Sequence, residues 1–246
     1  MIFEPRYRVL FNTLMDGMPD IEEGLVQKES PYAGTKQFGM CYVDGNSGKM
    51  ATVGTLLQIQ AHSFEADGRI LVVNKGSERF RVTKVVKERP VLICEVEVLP
   101  EEEDSSQEAK ALAEQVADLF RNVLRLFRKV KRRQQQQQQG SSAAAAAAAA
   151  AGVADAEDDD SLEELSELAE LTDKPTQLSY WIASVLGEHR LTQQVLLEED
   201  STLGRLQKEA EVLGETMRFY SAATALESVF SSGGEGGAQP PAGGPD

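Results

Sequence analysis

The sequence predicts an α+β protein, with an antiparallel β-barrel or sandwich in its first hundred residues and helices after it. Three observations carry this reading. Between Gln37 and Leu99, short runs rich in β-branched and aromatic residues are separated by turn residues, with no room for helices between them. From about residue 101 the apolar spacing changes from two to three and four. The charge changes as well. Residues 1–100 carry 12 Lys/Arg against 13 Asp/Glu, leaving 13 against 27 for the remainder of a chain whose net charge is −15. An acidic rear half does not seek phosphate backbones, which are bound by dense Lys and Arg.

The first segment, Phe3 to about Met18, starts extended and then turns helical. Pro5 suits a first helical turn, and Tyr7, Leu10, Phe11 and Leu14 recur at helical spacing until Gly17, Pro19 and Gly24 end the pattern. Five strands are expected at Phe38–Val43, Ala51–Ala61, Arg69–Lys75, Glu78–Lys87 and Val91–Leu99. Gly45-Asn46-Ser47-Gly48 and Asp67-Gly68 supply the positive-φ residues of hairpin turns. Phe3 and Phe80 both stand in period-two alternation, which assigns them to the core.

Beyond Pro100, Glu101-Glu102-Glu103-Asp104 reads as the acidic start of a helix, where the dipole favours anions. That helix carries Leu112, Val116, Leu119, Phe120, Val123, Leu124 and Phe127 on one stripe and ends on Arg128–Arg133. Residues 134–160 are low-complexity, with six glutamines, nine alanines (Ala143–Ala151) and an acidic run, so they are expected to be a flexible linker. Further helices are expected around Leu162–Leu171, Leu178–Leu186 and Leu191–Glu199. Ser201 then caps a longer one whose Leu203, Leu206, Ala210, Leu213 and Met217 approach a coiled-coil seam and suggest self-association. The Gly/Pro-rich tail is expected to be disordered. The resulting organisation is a barrel over 1–100, a helix over 101–133, a linker over 134–160, a helical subdomain over 161–230 and a tail over 231–246.

Catalytic patterns are missing from the sequence. Gly45-Asn46-Ser47-Gly48-Lys49-Met50 has too few residues between its glycines for a phosphate loop, and Met50 stands where a magnesium-binding Ser or Thr is required. There is no Gly-x-Ser-x-Gly elbow. His62 and His189, the two histidines, sit in no metal-ligand cluster, and Cys41 and Cys94 read as buried reduced thiols. No catalytic, cofactor-binding or metal-ligating residue is therefore assigned. No apolar run reaches the ~18–20 residues of a membrane span.

The segment Ile2-Phe3-Glu4-Pro5-Arg6-Tyr7-Arg8 resembles the hallmark of the LON N-terminal, substrate-binding domain of Lon proteases. Val53-Gly54-Thr55-Leu56 and Gly76–Val82 are similar to that family's next signatures, and Glu95–Glu102 to its last strand. Leu178–Ser184 and Gln194–Ser201 look like its helical part. The resemblance implies a PUA-like antiparallel β-barrel followed by an α-helical bundle. It also implies a module that binds unfolded client proteins, with a protease as a further partner. The full enzymes' ATPase and Ser-Lys protease modules have no counterpart here. The family places a strand upstream of Ile2, so a barrel without its first strand is expected. Stand-alone copies of plant-chloroplast type are the closer likeness, given the Gln and Ala tracts, with the cytoplasm as the alternative. Glu4, Arg6 and Arg8 are the candidate partner-binding residues, weighed against a role as helix-start ion pairs. RNA binding is the alternative function, because PUA-like barrels elsewhere bind RNA and Arg121–Arg133 holds seven cations.

Overall fold

The computed structural model describes residues 1–15, 26–139, 165–186 and 190–232. Helix α1 (Pro5–Leu14) precedes β1 (Gln37–Val43), β2 (Met50–Phe64), β3 (Ile70–Lys87) and β4 (Ile93–Leu99). Then come α2 (Gln107–Gln139), α3 (residues 165–171), α4 (Pro175–Val185), α5 (Arg190–Glu198) and α6 (Thr202–Ser232). The architecture is the predicted α+β class. Its strands form one antiparallel sheet in the order β1-β2-β3-β4, curled into a half-barrel.

The chain divides into two compact units, one of Met1–Glu102 with Arg190–Glu198, the other of Glu103–His189 with Glu199–Asp246. α5 thus joins the sheet unit, although its sequence position places it among the helices. Side chains make that attachment. Arg79, 6% exposed, donates from Nε and Nη2 to the Glu101 carboxylate at 3.0 and 2.7 Å, and from Nη1 to the Leu197 carbonyl at 2.9 Å. Gln194 Nε2 donates to the Val53 carbonyl at 3.1 Å. A charge-assisted fork of this kind is strong, and removing one partner strands the other.

The two strands expected at 69–75 and 78–87 are one 18-residue strand, β3. Gly76 does not break it, because Lys75 and Gly76 stay opposite Gln58 and Leu57. The mismatch is absorbed as register shifts along the β2–β3 ladder. The predicted hairpin turns are present, with Gly48 and Gly68 at φ of +67° and +79°. In the first, Asp44 accepts from the Asn46 and Ser47 amides and the Ser47 hydroxyl, and these bonds hold its carboxyl below the ordinary range.

α2 differs from expectation at both ends. It starts at Gln107, with Ser106 Oγ capping the Ala109 amide at 3.2 Å. The acidic run ahead of it serves other elements. Glu101 holds Arg79, and Glu103 accepts from the Thr176 and Gln177 amides at the start of α4, at 2.7 and 3.4 Å. Lys174, the N-cap of α4, offers no side-chain bond, so Glu103 satisfies those amides from elsewhere in the chain. At its far end α2 runs on through six residues of the expected linker, because glutamine is a good helix former and the first breaker is Gly140. The remainder of that linker (140–160), His189 and the tail from Gly233 lie outside the described residues.

In the helical unit, Val116 and Phe120 of α2, Leu178 and Ile182 of α4, and Leu206 and Leu213 of α6 form the core. The α6 seam that suggested self-association is therefore occupied within the chain, since Leu206 and Leu213 are fully buried there. One face of α6 also buries polar groups. Arg205 donates to Ser179 Oγ at 2.7 Å and to the Glu199 carbonyl at 2.8 Å, with its guanidinium 4.0 Å from the Tyr180 ring. One turn on, Glu209 is fully buried, and neither carboxyl oxygen has a hydrogen-bond partner among the described residues. Burial pushes its pKa up to about 9, against the pull of the Arg205 charge.

Two outcomes follow for stability. Arg79→Ala should cost about 3–5 kcal/mol in urea unfolding and should speed amide exchange across Arg190–Glu198, while exchange in α4 stays unchanged. Glu209 is protonated in the fold, so its stabilising state is fully present below its ordinary pKa of 4.5 and is lost as pH rises towards 9. Glu209→Gln should remove that decline, leaving the variant several kcal/mol more stable than the parent at pH 8, with little difference at pH 4.5. Urea titrations at three pH values measure it.

Candidate partner-binding surface

The candidate residues lie at the start of α1, and local chemistry sets their geometry. Glu4 precedes a proline, which holds it extended at φ −66° and ψ 134°, and its carbonyl accepts from Tyr7 and Arg8 to open the helix. The opposite side of α1 faces the sheet. Phe11 and Leu14 are buried with Ile59 and Ile70, and the Phe11 and Phe38 rings meet edge-on at 5.0 Å. Ahead of the helix, Ile2 exchanges both backbone hydrogen bonds with Ile70, at 2.7 and 2.9 Å. The segment is thus pinned by backbone pairing and apolar burial.

That pinning decides which side chains face outward. In extended backbone successive side chains alternate, so with Ile2 half-buried, Phe3 points to solvent and is 64% exposed. This corrects the expectation that Phe3 belongs to the core. Phe80 follows expectation at 3% exposed. The alternation was right for both, but for Phe3 it could not say which phase faced inward.

Arg6 Nε donates to Glu4 at 2.8 Å, both side chains are nearly half exposed, and the guanidinium lies 4.6 Å from the Tyr7 ring centre. Arg8 lies against the hairpin turn, where a Cβ on Gly68 would fall 2.7 Å from its Nη2. In that turn Arg69 pairs with Asp67, and its Nη1 reaches the Met1 sulfur at 3.3 Å. Glu4 and Arg6 thus form one half-exposed pair, Arg8 rests against the hairpin turn, and Met1 and Phe3 are exposed in the same segment. An exposed ion pair contributes about 0–1 kcal/mol, so stability alone makes little demand for this charged set.

The residues that sequence reasoning missed are Arg79, Glu101 and Gln194, which attach α5 to the sheet. Arg79 sits in a polar–apolar alternation that gives it the pattern of an outward side chain. The one available signal was its place inside the Gly76–Val82 segment.

The basic run of α2 is partly engaged. Arg121 bonds Asp118 at 2.6 Å and Arg125 bonds Asn122 at 3.3 Å, while Arg128, Lys131 and Arg132 also have partners. Among the described residues, no three His, Cys, Asp or Glu side chains come together as a metal-binding group, and no helix is long and apolar enough to cross a membrane.

Residues 1–215 match the model of the ATP-dependent protease La (LON) substrate-binding domain. Among solved structures, the chain is similar to the N-terminal domain of the Mycobacterium avium complex Lon protease. The identity there is 16% with a TM-score of 0.50, covering 89% of this chain and 88% of that one. A Lon N-terminal domain protein from Xanthomonas campestris aligns at 20% identity and a TM-score of 0.42, over 71% and 75% of the two chains.

If the segment is held by burial and not by its charges, Phe11→Ala should cost about 3–5 kcal/mol, whereas Arg6→Ala should cost at most about 1 kcal/mol. Equal losses in urea unfolding would assign the ion pair a structural role.

Proposed function

Because this chain belongs to the LON substrate-binding domain family, we propose that it is a non-catalytic recognition module that binds unfolded client polypeptides, as an adaptor in protein quality control, and delivers them to a protease. The observation that carries the reading to particular residues is the surface at the start of α1. There Met1 and Phe3 are exposed in the same short segment as Glu4, Arg6 and Arg8, and the buried contacts of that segment are made by other residues. An exposed aromatic in one segment with arginines suits an unfolded chain, which offers apolar side chains and free backbone carbonyls together. Residues 1–215 match a substrate-binding domain, and the proposal assigns unfolding and cleavage to the protease partner.

RNA binding is less favoured, because the α2 cations are partly engaged along their own helix and the chain carries a net charge of −15. The Gln and Ala tracts favour a eukaryotic setting, and the likeness to stand-alone copies of plant type makes a chloroplast the setting we propose, with the cytoplasm as the alternative.

Fluorescence anisotropy of the full chain against a labelled, permanently unfolded protein (reduced and carboxymethylated) tests the reading. Binding should be selective over the same protein in its native disulfide-bonded state. Phe3→Asp should weaken it about tenfold, the scale of one interface anchor, and Arg6→Ala should weaken it less. Equal binding of native and unfolded protein, or an unaffected Phe3→Asp variant, would sink the proposal.

A further inference from the structure

Beside the N-terminal segment, β3 exposes apolar side chains on one face of the sheet. Phe64, Ser63, His62 and Ala61 of β2 stand opposite Ile70, Leu71, Val72 and Val73 in unbroken register. Ile70 and Val72 belong to the core beneath α1, so the alternation of the strand turns Leu71 and Val73 to the face away from that helix. There they are 41% and 62% exposed. Their cross-strand partners are Ser63 and Ala61, whose small side chains leave the flanks of Leu71 and Val73 uncovered.

The segment ahead of α1 reaches the same face. Ile2 and Ile70 exchange both backbone hydrogen bonds in an antiparallel bridge, which sets Met1 opposite Leu71. The Met1 sulfur accordingly meets Arg69 Nη1 at 3.3 Å, and Arg69 shares the face of Leu71 by alternation. Arg69 is itself paired with Asp67, so the cation of this row is balanced. Met1, Leu71 and Val73 supply the apolar surface, with Phe3, 64% exposed, on the other side of the bridge.

The spacing of these side chains selects the occupant. Leu71 and Val73 stand two residues apart on a strand, about 6.8 Å at ~3.4 Å per residue, and Met1 and Phe3 repeat that two-residue interval. An extended polypeptide carries every second side chain on one side at the same interval, whereas a helix gathers every third and fourth. We propose that Leu71 and Val73 continue the client site onto β3, where they receive an extended, uncharged client segment with apolar side chains at alternate positions. This assignment rests on the client-binding reading and adds to it the face that is used and the pattern that is recognised.

The test uses the full chain with two probes, the reduced and carboxymethylated protein and a pair of short fluorescent peptides of one composition. One peptide alternates leucine and valine with serine and glutamine, and the other gathers the same apolar residues in one block. The double variant Leu71→Thr/Val73→Thr keeps strand preference at two exposed positions, and it should weaken binding of the unfolded protein about tenfold. Val86→Thr, at a site 56% exposed elsewhere on β3, should leave binding unchanged. The alternating peptide should bind at least about threefold more tightly than the blocked one. If the parent chain binds no unfolded protein, or Phe3→Asp leaves binding intact, the client-binding reading itself falls. If Phe3→Asp weakens binding and the double variant does not, or the two peptides bind alike, the β3 assignment alone is overturned. A dimer in light scattering that the double variant disperses would give this face to a second copy of the chain and overturn it as well.

Discussion

The sheet unit depends on one buried guanidinium. Arg79 reaches from the middle of β3 to Glu101 just past β4, and to the Leu197 carbonyl in α5, 118 residues away in sequence. The chain leaves this unit at Glu102 and returns to it at Arg190. Closing so long a loop carries an entropy cost that the short helix could not offset by burial alone, since Leu196 is its single fully buried residue. Directional bonds from Arg79 and Gln194 supply the rest. Lysine could not replace this arginine, because a single ammonium lacks the fork that serves a carboxylate and a carbonyl at once.

The helical unit solves the same problem of buried polarity in two different ways. Arg205 is fully buried yet bonded to Ser179 and the Glu199 carbonyl and stacked on Tyr180. Glu209 is equally buried, and it is accommodated by keeping its proton. A neutral carboxyl is far cheaper to bury than a carboxylate, and the pH dependence of folding follows from that substitution. Thr176 joins the two ends of this unit, touching the Asp104 amide and the Thr202 hydroxyl while its own amide is held by Glu103. The acidic residues before α2 are thus spent on contacts that no local helix rule anticipates.

A recognition surface and a robust fold place opposite demands on the same segment, and α1 divides them between its two sides. Phe11, Leu14 and the Ile2–Ile70 bridge hold the segment, which frees Phe3, Glu4 and Arg6 to face solvent at little cost in stability. Met1 and Phe3 are both exposed ahead of the helix, while Ile2 between them pairs with Ile70. The inner sheet face follows another logic. Gly39 and Gly54 are the condition for Phe80 and Cys41 to lie as closely as they do, so the curl of the sheet is written into two missing side chains.

The sequence alone determined the fold class, the sheet's turn positions and the α1, α2, α4 and α6 stripes, because these depend on local backbone preference and on a period of two or nearly four. Val116, Phe120, Leu178, Leu206 and Leu213 were legible as core for that reason. It also determined the family likeness, since the Ile2–Arg8 and Gly76–Val82 segments are contiguous. Tertiary structure decided everything that depends on which distant groups meet. It joined two expected strands into β3, moved α5 to the sheet unit, reassigned Glu101 and Glu103 from their neighbouring helix to Arg79 and α4, filled the α6 seam with the chain's own α2, and turned Phe3 outward. Periodicity fixes that a residue alternates, but the phase of the alternation and the partner across the gap are set only when non-local surfaces pack. The candidate residues were therefore legible as a contiguous segment, but which of its side chains face solvent was not.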